Sequence, residues 1–376
     1  MLLLVVALAC VSDVVKPFFE YVWSSFGTQS RILWAFMQIL AHIPILLSAI
    51  LPAMLRGFYL VLLKITDLNP FAAFGLSCAN HAFRSFKTRL IFAITAPLVV
   101  SAVLLAYELL QVYALRRNAA TCFARYAHLQ LIVLFLVLPG VSTTIFRTFL
   151  CDDAFVEDNS VSFLEADLTL SCESKEYNRL YALAWFGFAL YPVGVNALYA
   201  GLLYRARDAI QRRGGAGAEH LSFLFRNYAP EYFAFDVVDN LRRILLSGGL
   251  VFISERGRAA GGTMIALFFY GLYENVKPYK RDETNVIASV ANGVIAAVML
   301  MLTILQGELM SKPVVGNLCI VISVVIFPVI AVFQLRSIKR RKAALAALGP
   351  KANGRRTAQQ LQPSTTIGFT ETFSVA

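Results

Sequence analysis

Four charged residues within one short stretch, Asp236, Asp239, Arg242 and Arg243, carry the strongest chemical signal in the chain. Asp239 lies three residues before Arg242 and four before Arg243, separations that bring side chains together on one helical turn. At the mouth of an apolar helix such charges are costly unless paired, and they mark either an ion path or gate, or a cytosolic helix start pinned by a salt bridge and basic snorkelling. Glu108 sits inside an apolar run with Gln111 one turn on; a lone buried carboxylate is protonated or paired, so it is an ion or proton site or a helix-packing contact. Arg147 ends another apolar run and faces an acidic segment, where pairing with Asp152 or Asp153 would anchor an outer loop.

Enzymatic constellations are missing from the sequence. The four histidines, His42, His81, His128 and His220, share no ligand spacing, and there is no Cys-x-x-Cys, GxSxG or Walker loop, so no catalytic set, metal site or cofactor-binding motif is expected. A membrane-embedded transferase would lack its polar motif. Lys339, Arg340, Arg341 and Lys342, followed by Lys351, Arg355 and Arg356, form a basic cluster that attracts anionic lipid by about 1 kcal/mol per cation near the surface.

The elements that must position these residues are membrane helices. Hydrophobic residues make up 58% of the chain and charged residues 15%. Eight uncharged stretches of 11 to 25 residues begin at Ile32, Ile91, Leu129, Leu180, Ile244, Ala259, Thr284 and Pro313. Runs of roughly 20 such residues match a hydrocarbon core, and a helix satisfies every backbone group there. The expected fold is therefore all-α, a polytopic transmembrane helical bundle of about nine spans. His42, Pro44 and Pro52 should kink the Ile32 to Leu55 span, and the short Ile244 to Ser254 run needs a helix beginning near Tyr232. Met1 to Ser12 is a short first span, as a half-span or as the remainder of a longer helix from an earlier start. Residues 1–30 then form this span and a cytosolic linker, 31–335 the transmembrane domain, and 336–376 a basic, mostly disordered cytosolic tail.

Orientation follows from Lys and Arg. With the C-terminus cytosolic, the inner segments hold 23 of the 34 basic residues, which also explains the net charge of +11 without a nucleic-acid partner. Arg56, Lys64, Arg84, Lys87 and Arg89 dissent, so residues 56–90 are an outer segment or a re-entrant or interfacial one. The long outer loop Cys151 to Asn178 is acid-rich, and Cys151 and Cys172 bracket it. On an oxidising face they would close a disulfide loop contributing about 3 kcal/mol. Cys10, Cys78, Cys122 and Cys319 are scattered and read as small apolar packing residues.

Val141-Ser-Thr-Thr-Ile-Phe-Arg-Thr-Phe-Leu-Cys151-Asp resembles a block in the TRP-like multi-pass membrane proteins of algae and oomycetes, which are similar to the fungal TRP-like and flavin-carrier C-terminal domain. Glu165 to Cys172, Leu190 to Val195, Asp236 to Gly248, Lys277 to Tyr279 and Asn285 to Ala288 look like later blocks, so the likeness covers residues 30 to 335. It implies an ion-channel-like or transport role, with cations and membrane lipids as partners, and a preceding cysteine-rich extracellular region that this chain does not carry. Between the last two spans, however, Glu308 to Lys312 is too short for a pore helix and filter. The transport reading expects a continuous hydrophilic groove lined by Glu108, Asp236 or Asp239. The competing reading, a non-transporting anchor or signalling module of a truncated receptor-like protein, expects all three paired and sealed.

Overall fold

The computed structural model describes residues 15–47, 50–66, 85–152, 162–215 and 217–333, and they are predominantly helical. The helices are α1 (Val15–Leu46), α2 (Ala53–Thr66), α3 (Phe86–Tyr113), α4 (Ala119–Arg147), α5 (Lys175–Phe188), α6 (Gly194–Arg213), α7 (Phe235–Ser247), α8 (Arg258–Val276), α9 (Asp282–Gln306) and α10 (Lys312–Val324). Among the described residues five stretches are long and apolar enough to cross a membrane: Phe86–Tyr113, Ala119–Arg147, Lys175–Arg212, Asp282–Gln306 and Lys312–Phe333. Ile91, Val99, Val103 and Leu110 on α3, Met264 and Phe268 on α8 and Val321 on α10 remain exposed, an apolar exterior suited to lipid.

Local chemistry sets the helix ends. The Asn118 side chain accepts from the Ala120 N–H to start α4, and Ser174 accepts from Tyr177 N–H to start α5. Lys277 adopts a left-handed conformation (φ 46°) and Pro278 follows, which stops α8. Between α5 and α6 the chain stays helical but widens into a π turn, Ala189–Val193, around Pro192, which has no N–H to continue the α ladder. A Cβ on Gly194 would lie 2.8 Å from the Ala189 carbonyl oxygen, so this turn requires glycine.

Successive long helices alternate between two ends. At one end α3 begins beside the loop after α4, with Lys87 Nζ 2.7 Å from Glu176 Oε1. The same end holds the turn after α7, where Phe252 packs on Phe146 and Phe149, and the α9–α10 turn, where Gln306 donates to the Glu255 carbonyl. At the other end Tyr228 bridges Tyr279, joining the segment before α7 to the α8–α9 turn. Small residues let α8 approach its neighbours: a Cβ on Gly262 would meet Leu250 and the Met299 sulfur of α9 at 3.0 and 3.1 Å.

One expectation changes. The helix containing Ile32 runs through Pro44 to Leu46, and Pro52 directly precedes α2, where a missing N–H costs nothing. After α1, the helix α2 doubles back and packs along α10, with its Tyr59 hydroxyl 3.1 Å from Ser323 Oγ. The loop between α4 and α5 carries a small sheet. Cys151–Asp152 (β1), Phe163–Leu164 (β2) and Asp167–Ser171 (β3) form an antiparallel sheet in the order β1-β2-β3, closed by the Cys151–Cys172 disulfide. Buried Leu164 plugs this lid into the bundle, and Asp167 accepts from the Phe86 N–H that opens α3. Partial burial pushes the Asp167 carboxyl up, but hydrogen bonds from Thr169 and Phe86 outweigh it and hold the group below the usual carboxylate range.

Cys151→Ser should lower lid stability by about 3 kcal/mol, read as a lower melting temperature of the purified protein in detergent. Because the Asp167 pKa is lowered by folding, its contribution is complete above the ordinary carboxylate value and is lost as pH falls through the folded one. Amide exchange at Phe86, corrected for intrinsic pH dependence, should therefore accelerate below about pH 4, and Asp167→Asn should remove that pH dependence.

Candidate functional site

The four charges singled out on α7 are all buried, with exposures of 2% for Asp236, 7% for Asp239, 4% for Arg242 and 1% for Arg243. Isolated charges at such depth would be prohibitive, and each is matched. Asp239 Oδ1 accepts from Arg242 Nη2 at 2.7 Å and from the Tyr273 hydroxyl of α8 at 2.6 Å, while its Oδ2 lies 3.9 Å from Arg243 Nε. Arg242 also donates to Asn292 Oδ1 of α9 at 2.8 Å. Arg243 turns away toward α1 and α4, donating to Gln38 Oε1 at 3.0 Å and the Phe135 carbonyl at 2.9 Å.

The partner of Asp236 is a residue the sequence did not single out. Arg31 of α1 donates to Asp236 Oδ1 at 2.6 Å and to the Phe223 carbonyl, and the Tyr228 hydroxyl donates to the same carboxylate oxygen at 3.2 Å. The Phe135 ring of α4 stands between two guanidiniums, 4.9 Å from Arg31 and 3.9 Å from Arg243, and Arg31 also lies 4.1 Å over Phe223. Gln38 continues the connection by donating to the Leu136 carbonyl, and His42 donates from Nδ1 to the Gln38 carbonyl. One cluster thus ties α1, α4, α7, α8 and α9 together. Beside it lies a cavity of about 10 Å³, room for one water-sized sphere, bordered by Thr28, Arg31, Asn227, Asp239, Arg242 and Asn292 among others.

Glu108 lies apart from this cluster, 1% exposed on α3, and is gripped bidentately by Arg125 of α4, whose Nε and Nη2 donate to its two oxygens at 2.7 Å each. Nearby Gln130 donates to Ser101 Oγ, so the α3–α4 seam is a polar contact between helices. Arg147 makes no ion pair with Asp152 among the described residues, and Asp153 lies outside them. Arg258 of α8 also reaches the lid, 3.3 Å from Glu165 Oε2, and donates to the Ile253 and Leu46 carbonyls. Lys339, Arg340, Arg341 and Lys342 lie outside the described residues, as do Cys10 and Cys78.

Among the described residues no group of three or more His, Cys, Asp or Glu could hold a metal ion. Arg31, Arg125 and Arg258 escaped notice because their partners lie on other elements, far away in sequence. The one available signal was that Arg31 and Arg125 each border an apolar run with no acidic residue within one helical turn. No protein-family model, curated protein or solved structure matches the chain.

Removing one partner of the Arg31–Asp236 pair leaves an uncompensated buried charge. Asp236→Asn should destabilise the detergent-purified protein by about 3–5 kcal/mol, and the double variant Arg31→Met with Asp236→Leu by clearly less than the sum of the singles, in a thermal-unfolding double-mutant cycle. Glu108→Gln should cost less, because Arg125 is 31% exposed and water can solvate it.

Proposed function

We propose that this chain is a multi-pass membrane module that holds an outer disulfide-bonded lid in register with its inner face, and that its buried charges are a latch rather than a conduction path. The observation that carries this reading is the pairing of all three candidate carboxylates: Glu108 with Arg125, Asp236 with Arg31, and Asp239 with Arg242 and Arg243. A pathway needs a continuous wet groove, and the space beside Asp239 accommodates about one water. A signalling or anchoring role is supported by α1, whose Leu46 carbonyl accepts from the lid-bound Arg258 at one end while Arg31 grips Asp236 at the other.

The alternating helix directions fit nine crossings if residues 1–14 supply one. On this reading the lid lies outside and the latch and the Tyr228–Tyr279 bridge lie at the cytosolic face, an orientation supported by the excess of Lys and Arg in the segments assigned to that face. There Lys339, Arg340, Arg341 and Lys342 meet anionic lipid. The TRP-like likeness supports a eukaryotic membrane protein of this general kind. Its ion-transport implication is the reading to test against the latch.

Reconstituted in liposomes, the wild type, Asp239→Asn and Glu108→Gln should all show cation flux no higher than protein-free vesicles. Wild-type flux that Asp239→Asn abolishes would replace the latch with a transport function.

A further inference from the structure

At the latch end two exposed cations, Arg226 and Lys280, are brought together by backbone pairing. The Ala229 N–H donates to the Pro278 carbonyl and the Lys280 N–H to the Asn227 carbonyl, so the segment before α7 and the α8–α9 turn form one short antiparallel ribbon. Its register sets Lys280 beside Arg226, and Lys280 Nζ donates to the Arg226 carbonyl at 2.9 Å. Among the described residues no ion pair ties either cation to a carboxylate. Partial burial and then the neighbouring Arg226 charge push the Lys280 ammonium below its usual range, and no described carboxylate counters them, the adjoining Asp282 and Glu283 included. The depth is that of lipid headgroups: Lys280 stands just before α9, whose uncharged run opens at Thr284, and Arg31, at the mouth of the run from Ile32, donates to the Phe223 carbonyl three residues before Arg226.

We infer that Arg226 and Lys280 form a site for the phosphate of an anionic phospholipid headgroup, which bridges the guanidinium and the ammonium at the membrane surface. The pair joins a planar fork of donors to a compact point charge, both suited to phosphate oxygens. The ribbon presents them ready placed, because the Tyr228 and Tyr279 rings, one from each strand, stack at 5.0 Å and resist sliding. It also reaches the latch, since the Tyr228 hydroxyl donates to Asp236, so a lipid held here stabilises the latched arrangement. The inference rests on the proposed reading only in setting this end of the bundle at a lipid face.

Thermal unfolding of the full chain tests it, in mixed micelles of detergent with phosphatidylcholine or with phosphatidylglycerol. Phosphatidylglycerol should raise the wild-type melting temperature saturably, by about 2–4 °C over phosphatidylcholine. The double variant Arg226→Gln with Lys280→Gln should lose most of that rise, and Arg117→Gln with Arg205→Gln, exposed cations at the same end, should keep it. Equal wild-type melting in the two lipids would overturn the site, as would an equal loss in both double variants, the mark of general surface attraction. A rise of the same size from inorganic phosphate in phosphatidylcholine micelles would also overturn it, by giving the site to a free anion. Should the first double variant not fold, labelling of the wild type by an amine-reactive ester decides the matter. Phosphatidylglycerol should protect Lys280 several-fold more than exposed Lys277, and equal labelling of the two lysines refutes the site. Failure here leaves the latch intact, whereas flux abolished by Asp239→Asn overturns the latch and leaves this site standing.

Discussion

The energetic constraint behind this architecture is the cost of keeping ionised groups away from water inside an apolar bundle. Moving a guanidinium or carboxylate out of water costs several kcal/mol even after the surroundings relax, and a close, well-oriented partner is the main compensation available within a membrane domain. Asp236 and Asp239 sit on α7, which alone cannot satisfy them. Arg31 from α1, Tyr273 from α8 and Asn292 from α9 must all arrive at the same depth. The cluster therefore sets the axial register of these helices more sharply than apolar packing could, because an apolar contact tolerates sliding whereas a hydrogen-bonded ion pair does not.

Phe135 shows how the same site uses its apolar neighbours. Its ring lies between Arg31 and Arg243, offering each guanidinium a π face while α4 covers the pair from above. The ring contacts share Arg31 with Asp236 and the Phe223 carbonyl, so movement of α1 would disturb an ion pair, a backbone hydrogen bond and two ring contacts together.

The opposite end follows a different logic. Near the lid, covalent closure by Cys151 and Cys172 replaces buried charge as the organising element, and the short strands pair because the disulfide holds two irregular segments side by side. Arg258 then joins the lid to the bundle through Glu165 and to α1 through the Leu46 carbonyl. One helix, α1, thus touches the lid connection with its last turn and the charged cluster with Arg31, which gives the proposed coupling of the two faces a physical route.

What the sequence determined by itself was everything carried by short-range periodicity. Uncharged runs of membrane length specified helices, Asp239 and Arg242 three apart on one turn specified an intrahelical pair, and two cysteines bracketing an acidic segment specified the disulfide. Tertiary structure decided the rest. Asp236 is paired with Arg31, 205 residues away, Glu108 with Arg125 across a hairpin, and the lid's Glu165 with Arg258 of α8. The physical reason is that a helix repeats its own geometry every few residues, so neighbours along it can be read directly. Which charge meets which across a bundle depends on the depth and rotation of separate helices, and those are settled only when all of them pack at once.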